Sequence, residues 1–201
     1  MPHTVDYYLA PASPWTYLGH ARLREMVRAA GEGVTLRVLP FDLGAVFKVS
    51  GGLPLPQRAP QRQAYRLVEL RRFAEQLKLP MHIQPQFFPV AGDPAALLIV
   101  CVEMKDGADA AMRLCGAVFS AVWEQQRNIA EPDVLAELLR ETGLAPTRLE
   151  QSQAQAVQAR YAENTKAATD LGIFGAPTYV VDSEMFWGQD RLDFVRTKLA
   201  S

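Results

Sequence analysis

The residue with the clearest chemical potential in this 201-residue chain is Ser13, which stands between an apolar run, Val5–Leu9, and a helical pattern that begins at Pro14. A serine before a proline is a common helix start, with the serine as N-cap and the proline at the first helical position. The N–H groups and the positive dipole end of such a helix attract anions and stabilise a thiolate. We therefore expect the Ser13 hydroxyl to donate a hydrogen bond to a bound sulfur anion.

The two cysteines, Cys101 and Cys115, do not form a redox pair in the sequence, because they are 14 residues apart and both lie in helical patterns. Neither a CxxC motif nor a His, Cys and Asp cluster with metal-ligand spacing is present, so no metal is expected. We interpret both cysteines as buried small hydrophobic residues in a reducing compartment, and predict a cytoplasmic protein. The sulfur near Ser13 must then come from a bound thiol.

Ser13 has an alternative interpretation as the nucleophile of a hydrolase, which would need a base. The histidines are His3, His20 and His82, and His20 lies seven residues, about two helical turns, beyond Ser13. No GxSxG elbow surrounds the serine. The sequence therefore favours thiol binding over serine hydrolysis.

A second candidate segment lies near the other end of the chain, where Ala176-Pro177 precedes the strand pattern that begins at Thr178. Pro177 is either an ordinary loop proline entering a strand or a cis proline. A cis bond would turn the Ala176 peptide outward, where a peptide-like ligand pairs with it as an added strand does.

A third segment, Trp187–Leu192, contains Asp190 and Arg191. Asp190 either caps the last helix or holds a substrate ammonium, and Arg191 or the helix start would hold a carboxylate. Three further residues are weaker candidates for the substrate pocket. Lys48 either binds an acidic substrate or is simply solvated, and Trp15 and Tyr65 either line an aromatic pocket or belong to the core.

The element pattern predicts an α/β protein with a thioredoxin-like fold and an inserted all-helical domain. A strand, a helix and a second strand at Val34–Pro40 form a βαβ unit whose strands should be parallel. About 100 residues of mostly helical pattern follow, and a hairpin over 178–188 and a last helix complete the sheet unit. We predict residues 1–58 and 156–201 for the thioredoxin-like domain and 59–155 for the insert.

Composition excludes several classes of protein. Hydrophobic residues make up 49% and charged residues 21%, which predicts a packed core, and the net charge of −1 gives no basic surface for nucleic acid or membrane. The longest apolar run, 94–102, is too short to cross a bilayer, and the beginning of the chain has no signal-peptide pattern.

Taken together, the motifs resemble the 2-hydroxychromene-2-carboxylate isomerases, relatives of the kappa-class glutathione transferases. Single motifs are weak evidence, but these fall in the family's order along nearly the whole chain: Ser13-Pro14-Trp15-Thr16-Tyr17-Leu18, Phe47-Lys48 with Gly51 and Pro54, Val122-Trp123, Pro132, Gly143-Leu144, Gly172 to Thr178, and Trp187 to Leu192.

The resemblance implies a DsbA-like fold, a homodimer, glutathione as cofactor and a small aromatic substrate. In that family the serine corresponding to Ser13 binds the glutathione sulfur, Ala176 with Pro177 would pair with the glutathione backbone, and Asp190 with Arg191 would receive its γ-glutamyl end. The reaction is isomerisation of a conjugated 2-oxo acid through thiolate addition and expulsion. The chain departs from the family at Gly52, where many members carry Asn, and at Ala91-Gly92, where relatives often place a polar residue.

Two other functions remain open at this point. One is a kappa-like glutathione transferase or a protein derived from a thiol–disulfide oxidoreductase, although the missing CxxC motif argues against oxidoreductase activity itself. The other is a thiol-binding module without catalysis.

Overall fold

A computed structural model describes residues 3–200, which form four strands and nine α-helices. The strands are β1 (His3–Leu9), β2 (Val34–Pro40), β3 (Thr178–Val181) and β4 (Glu184–Trp187). The helices are α1 (Pro14–Ala30), α2 (Leu43–Ser50), α3 (Pro60–Leu77), α4 (Asp93–Asp106), α5 (Ala108–Trp123), α6 (Pro132–Glu141), α7 (Arg148–Gln151), α8 (Gln155–Asp170) and α9 (Leu192–Leu199).

The strands form one mixed sheet in the order β2-β1-β3-β4. β1 is parallel to β2 and antiparallel to β3, and Tyr7 lies opposite both Val38 and Tyr179. β3 and β4 form an antiparallel hairpin. The predicted βαβ unit and C-terminal hairpin are therefore confirmed, and β1 is central because it carries the longest fully buried run.

The segment between β2 and β3 contains helices α2 to α8 and the loops that join them. α4 and α5 are packed together and contribute a large share of the apolar core, including Trp123 and Phe119, which are fully buried. The two helices are separated at Gly107, whose φ of 84° lies in a region that favours glycine. The α/β architecture with a helical insertion is confirmed. The domain boundaries at 58 and 155 stay predictions.

Two contacts from α8 hold the loop that follows β2. The buried Asn164 side chain donates to the Pro40 carbonyl at 3.0 Å, and the Thr165 hydroxyl accepts from the Asp42 N–H at 2.9 Å. Asp42 in turn caps α2 through the Ala45 N–H at 2.9 Å. These bonds set where α2 leaves the sheet and therefore shape one side of the candidate site.

α1 joins the sheet to the inserted helices, because it packs against α5 as well as against β2. His20 lies in this seam with 6% of its surface exposed; its Nε2 contacts the Met112 carbonyl at 3.0 Å and its Nδ1 contacts the Tyr7 hydroxyl at 3.4 Å. Burial lowers the pKa of His20 to about 4, so the imidazole is neutral at physiological pH.

None of the helices within residues 3–200 combines the length and the apolar character that a membrane crossing requires.

Candidate active site

A large open cavity of about 1330 Å³ lies between the edge of the sheet unit and the helices. It exceeds the roughly 300–1,000 Å³ of common small-molecule sites, so it has room for two ligands side by side. Ser13, Ala176, Asp190 and Arg191 all line it, and so do Trp15 and Tyr65. The residues predicted from the two ends of the chain therefore meet at one cavity.

Ser13 is the N-cap of α1, as the sequence predicts, and 8% of its surface is exposed. Its hydroxyl oxygen accepts from the Thr16 N–H at 3.3 Å and donates to the Ala176 carbonyl at 3.4 Å. Both contacts are long for hydrogen bonds that involve a hydroxyl. A ligand with a stronger acceptor would therefore compete well for the Ser13 O–H.

The first turn of α1 offers fewer donors than an average helix start. Pro14 has no N–H, and the Thr16 N–H already donates to Ser13. Within the part of the chain that the structure describes, the Trp15 N–H is the first-turn donor left for a ligand. An anion at this position would be held by that N–H, by the Ser13 hydroxyl and by the helix dipole.

The peptide bond between Ala176 and Pro177 is cis, which is one of the two alternatives that the sequence left open. Ala176 borders the cavity with 7% of its surface exposed, and no group among residues 3–200 accepts from its N–H. Its neighbours are tied down, because the Pro177 carbonyl accepts from the Gly188 N–H at 2.9 Å and the Gly175 carbonyl accepts from the Thr178 hydroxyl at 2.8 Å. The Ala176 N–H is thus a fixed donor that is free to pair with a ligand.

Asp190 and Arg191 lie on a short 3₁₀ turn, Gln189–Arg191, immediately before α9. Asp190 does not cap α9, which has no side-chain cap, so that alternative is wrong. The two side chains are exposed and lie 3.4 Å apart, Arg191 Nη2 to Asp190 Oδ2. Both charges therefore remain accessible to a ligand that carries charges of both signs.

Sequence reasoning missed what holds this turn in place. Gln189 is 2% exposed, and its backbone carbonyl accepts from Arg22 Nη2 on α1 at 2.8 Å. The Arg22 guanidinium also donates to the Gln189 side chain. The positions of Asp190 and Arg191 relative to Ser13 thus depend on a contact between residues 167 positions apart in sequence.

Lys48 does not line the cavity; it is exposed in the last turn of α2, and its neighbour Phe47 lines the wall instead. A substrate role for Lys48 stays a prediction. The Phe47 ring also explains Gly52, because a Cβ atom on Gly52 would lie 2.1 Å from Phe47 Cδ1. An asparagine at position 52 would require this ring to move.

Three arginines on the helical side of the cavity were also missed: Arg58, Arg62 and Arg66. Their spacing of four residues could have indicated this, because residues four apart lie on the same face of a helix. The sequence pattern places Arg58 in a loop rich in Gly and Pro and the other two on an amphipathic helix, and none of the three was predicted as a site residue.

The hydrolase alternative lacks its base. His20 is engaged with Met112 and Tyr7 in the seam, His3 contacts Asp182, and His82 is exposed on the loop after α3. None of the three lines the cavity that contains Ser13. Among residues 3–200, no group of three or more His, Cys, Asp or Glu side chains is arranged to hold a metal ion.

Comparison with known proteins identifies the family to which this architecture belongs. Residues 4–200 match the family model described as DSBA-like thioredoxin domain. A 2-hydroxychromene-2-carboxylate isomerase from Pseudomonas putida is 32% identical over 193 residues, which cover 94% of this chain and 90% of that protein. Glutathione S-transferase kappa 1 from Caenorhabditis elegans is 27% identical over 201 residues, which cover 95% of this chain and 88% of that protein.

A solved structure of 2-hydroxychromene-2-carboxylate isomerase superposes on this protein with a TM-score of 0.83 at 27% identity, covering 98% of this chain and 94% of that chain. The named relatives are an isomerase and a glutathione transferase, which supports an enzymatic role. The chain therefore belongs to the DSBA-like thioredoxin domain family, in the group of 2-hydroxychromene-2-carboxylate isomerases and kappa glutathione transferases.

Proposed function

We propose that this protein is a glutathione-dependent isomerase of the 2-hydroxychromene-2-carboxylate isomerase type, acting on a conjugated aromatic 2-oxo acid in the breakdown of aromatic compounds. The observation that carries the proposal is the meeting of the Ser13 hydroxyl and the Ala176 carbonyl, 3.4 Å apart, at the wall of one large cavity. These two groups come from opposite ends of the chain. The isomerase relatives, which match nearly the whole length, support the same conclusion.

The groups on this wall fit a γ-glutamyl tripeptide thiol. The Ser13 hydroxyl and the Trp15 N–H would hold the sulfur anion, and the free Ala176 N–H would pair with the peptide backbone. Asp190 would bind the γ-glutamyl ammonium and Arg191 its carboxylate, since both charges face the cavity. Bound glutathione would supply a thiolate that adds reversibly to the conjugated acid, so that rotation about the former double bond becomes possible before the thiol leaves.

The chain's own part in the reaction is electrostatic. The helix dipole and the two donors at Ser13 and Trp15 favour the ionised sulfur, which raises the fraction of attacking anion at neutral pH. Trp15 lies against the same space and presents an apolar face to an aromatic substrate. Tyr65 lines the opposite side, with its hydroxyl donating to Glu69 at 3.0 Å.

Replacement of Ser13 tests the proposal. In S13A the pKa of the bound glutathione thiol, followed by thiolate absorbance, should rise by about one unit or more, because a charge-assisted hydrogen bond contributes about 1.5–3 kcal/mol. Turnover should fall at least about ten-fold for the same reason. S50A is the matched control, since Ser50 lines the same cavity and its hydroxyl makes no hydrogen bond to Ala176. An unchanged thiol pKa together with unchanged turnover in S13A would contradict the proposal.

A second candidate is a kappa-like glutathione transferase, favoured by the relative from Caenorhabditis elegans. The products distinguish the two: a transferase accumulates a thioether, whereas an isomerase returns free glutathione. Glutathione binding without turnover of any conjugated acid or electrophile would instead indicate a non-catalytic thiol-binding module.

Two further proposals concern the state of the protein in the cell. We infer a cytoplasmic location, which the two buried free thiols, Cys101 and Cys115, suit because a reducing compartment keeps them unpaired. We also infer a homodimer, as the resemblance to the family implies. Light scattering on the purified protein gives the oligomeric state directly.

A further inference from the structure

The helical side of the cavity carries an unusual concentration of positive charge. Arg58 lies just before α3, and Arg62 and Arg66 follow on α3 at intervals of four residues, so that all three line the cavity. The ion pairs found within residues 3–200 do not include any of these three guanidinium groups. Three neighbouring cations without a carboxylate repel one another, which is costly unless an anion joins them.

Arg66 is the most constrained of the three. It is 8% exposed, and its guanidinium carbon lies 5.1 Å from the centre of the Phe88 ring. Burial and the charge of Arg58 lower the pKa of Arg66 to about 10, so it stays protonated at neutral pH. The Arg66 side chain donates no hydrogen bond to any of the described residues. Its nitrogen atoms are also not among the fully buried side-chain atoms that lack a partner, so they keep some accessible surface. They therefore face the cavity.

The carboxylates that line the same cavity have hydrogen-bond or ion-pair partners other than Arg66. Glu69, one turn after Arg66, accepts from the Tyr65 hydroxyl at 3.0 Å. Asp93 accepts from the Tyr161 hydroxyl at 2.9 Å, and Asp42 caps α2. Asp190 lies beside Arg191. The cavity thus supplies Arg66 with no counterion of its own.

The surface between Ser13 and Arg66 is aromatic. Trp15 and Phe73 meet edge to face with ring centres 6.0 Å apart, and both line the cavity. Phe88, beneath the Arg66 guanidinium, packs against the buried Trp123 with ring centres 4.8 Å apart. This wall fits a flat apolar ligand whose charged end reaches Arg66.

We propose that Arg66 is the specificity-determining residue for the acceptor substrate, whose carboxylate it binds while the aromatic body of that substrate lies against Trp15 and Phe73. The planar guanidinium presents two parallel N–H donors to a carboxylate, which an ammonium cannot do. The inference rests on the proposed function for the identity of the thiol on the opposite wall. We assign the carboxylate at Arg66 to the acceptor substrate. Glutathione also carries a glycyl carboxylate, and the glutathione titration described below distinguishes the two sources.

The test compares an aromatic acid with its neutral amide, so that it needs neither a thiol nor turnover. Calorimetry would measure binding of 2-naphthoate and 2-naphthamide to the wild-type protein, to R66M and R66K, and to the control R71M, whose residue is exposed on α3 outside the cavity. Circular dichroism would establish that each variant is folded. R66M keeps an apolar side chain over Phe88 and removes the positive charge and the two parallel N–H donors of the guanidinium.

The wild-type protein and R71M should bind 2-naphthoate at least about ten-fold more tightly than 2-naphthamide, and R66M should lose that preference. R66K should keep part of the preference for 2-naphthoate, since the lysine keeps the positive charge but lacks the two parallel N–H donors. If R66M does not fold, R66K and R71M are compared instead. A weaker preference for 2-naphthoate over 2-naphthamide in R66K, but not in R71M, then supports the proposal. Equal preference for 2-naphthoate in all folded variants would overturn the proposal.

A separate glutathione titration identifies the source of the carboxylate. Glutathione should bind R66M and the wild-type protein with dissociation constants within about two-fold of each other. If R66M weakens glutathione instead of 2-naphthoate, the arginine serves the tripeptide and the proposal is wrong. If glutathione binds no form of the protein while R66M still loses 2-naphthoate, the proposed function fails and the Arg66 site stands.

Discussion

The two walls of the cavity are built differently. The sheet-side wall, here Ser13, Ala176 with Pro177, and the Gln189–Arg191 turn, offers backbone N–H groups, one hydroxyl and two exposed charges. The helical wall, here Arg58, Arg62, Arg66, Phe73 and Phe88, offers side chains, and its three arginines outnumber the one carboxylate of α3 that lines the cavity, Glu69.

Under the proposed function, the sheet-side wall binds the thiol, which is constant, and the helical wall binds the acceptor substrate, which varies. Backbone donors on the sheet-side wall keep their positions when side chains change, because hydrogen bonds of the strands and of the Gly175–Thr178 turn fix them. The helical wall can alter its chemistry by single substitutions on α3 without disturbing the sheet. We therefore expect changes on the first wall to affect the thiol and changes on the second to affect the acceptor substrate.

The largest expected effect concerns the seam that joins the two walls, where His20 is buried between α1 and α5. Burial lowers the pKa of His20 from 6.5 to about 4, so the unfolded chain takes up a proton that the folded chain refuses. Stability should therefore fall as the pH decreases from about 6.5 to about 4, by about 3 kcal/mol. Urea unfolding at a series of pH values measures this loss.

The glutamine variant H20Q removes the titrating group but keeps a donor for the Met112 carbonyl. Its free energy of unfolding should change much less over the same pH range. H82Q, which changes an exposed histidine, should keep the pH dependence of the wild-type protein. A wild-type slope in H20Q would show that other groups cause the acid sensitivity.

A smaller effect is expected from moving the sheet-side wall as a whole. A Cβ atom on Gly19 would lie 2.6 Å from the Tyr179 hydroxyl oxygen and 3.1 Å from Gln189 Cβ, so G19A should push α1 away from β3 and from the turn beside the cavity. We expect a loss of about 1–3 kcal/mol in the free energy of unfolding. Glutathione should bind more weakly, while 2-naphthoate binding stays closer to its wild-type strength.

Gly116 provides the matched helical glycine for this prediction. A Cβ atom there would meet His20 Nε2 at 3.4 Å, an ordinary contact distance, so G116A should be neutral or stabilising by up to about 1 kcal/mol. Equal effects of G19A and G116A on denaturant midpoints would argue against a special packing role for Gly19.

The smallest effect is expected at the exposed end of the sheet-side wall. D190N should weaken glutathione binding about three- to five-fold, because an exposed charge pair contributes only about 1 kcal/mol. Stability and 2-naphthoate binding should not change, since Asp190 is exposed and does not cap α9. D193N, a change at a neighbouring exposed carboxylate outside the cavity, is the control. A larger effect on 2-naphthoate than on glutathione would contradict the division of the two walls.

Features with local signals could be predicted from the sequence. Ser13 as N-cap and the hairpin after Pro177 follow from capping and periodicity, which act within short segments. The parallel pairing of β1 with β2 follows from the order strand, helix, strand. The resemblance of ordered motifs then identified the family.

The chemistry of the helical wall, and the contacts that hold the sheet-side wall in place, depend on tertiary packing. The solvent exposure of an arginine depends on what packs over its helix, so the sequence could not distinguish the buried Arg66 on Phe88 from the exposed Arg71 five residues later. The Arg22 bond to Gln189 and the placement of Phe47 instead of Lys48 at the cavity likewise depend on contacts between distant segments. Such contacts form only when the whole core is packed, and no spacing within one segment encodes them.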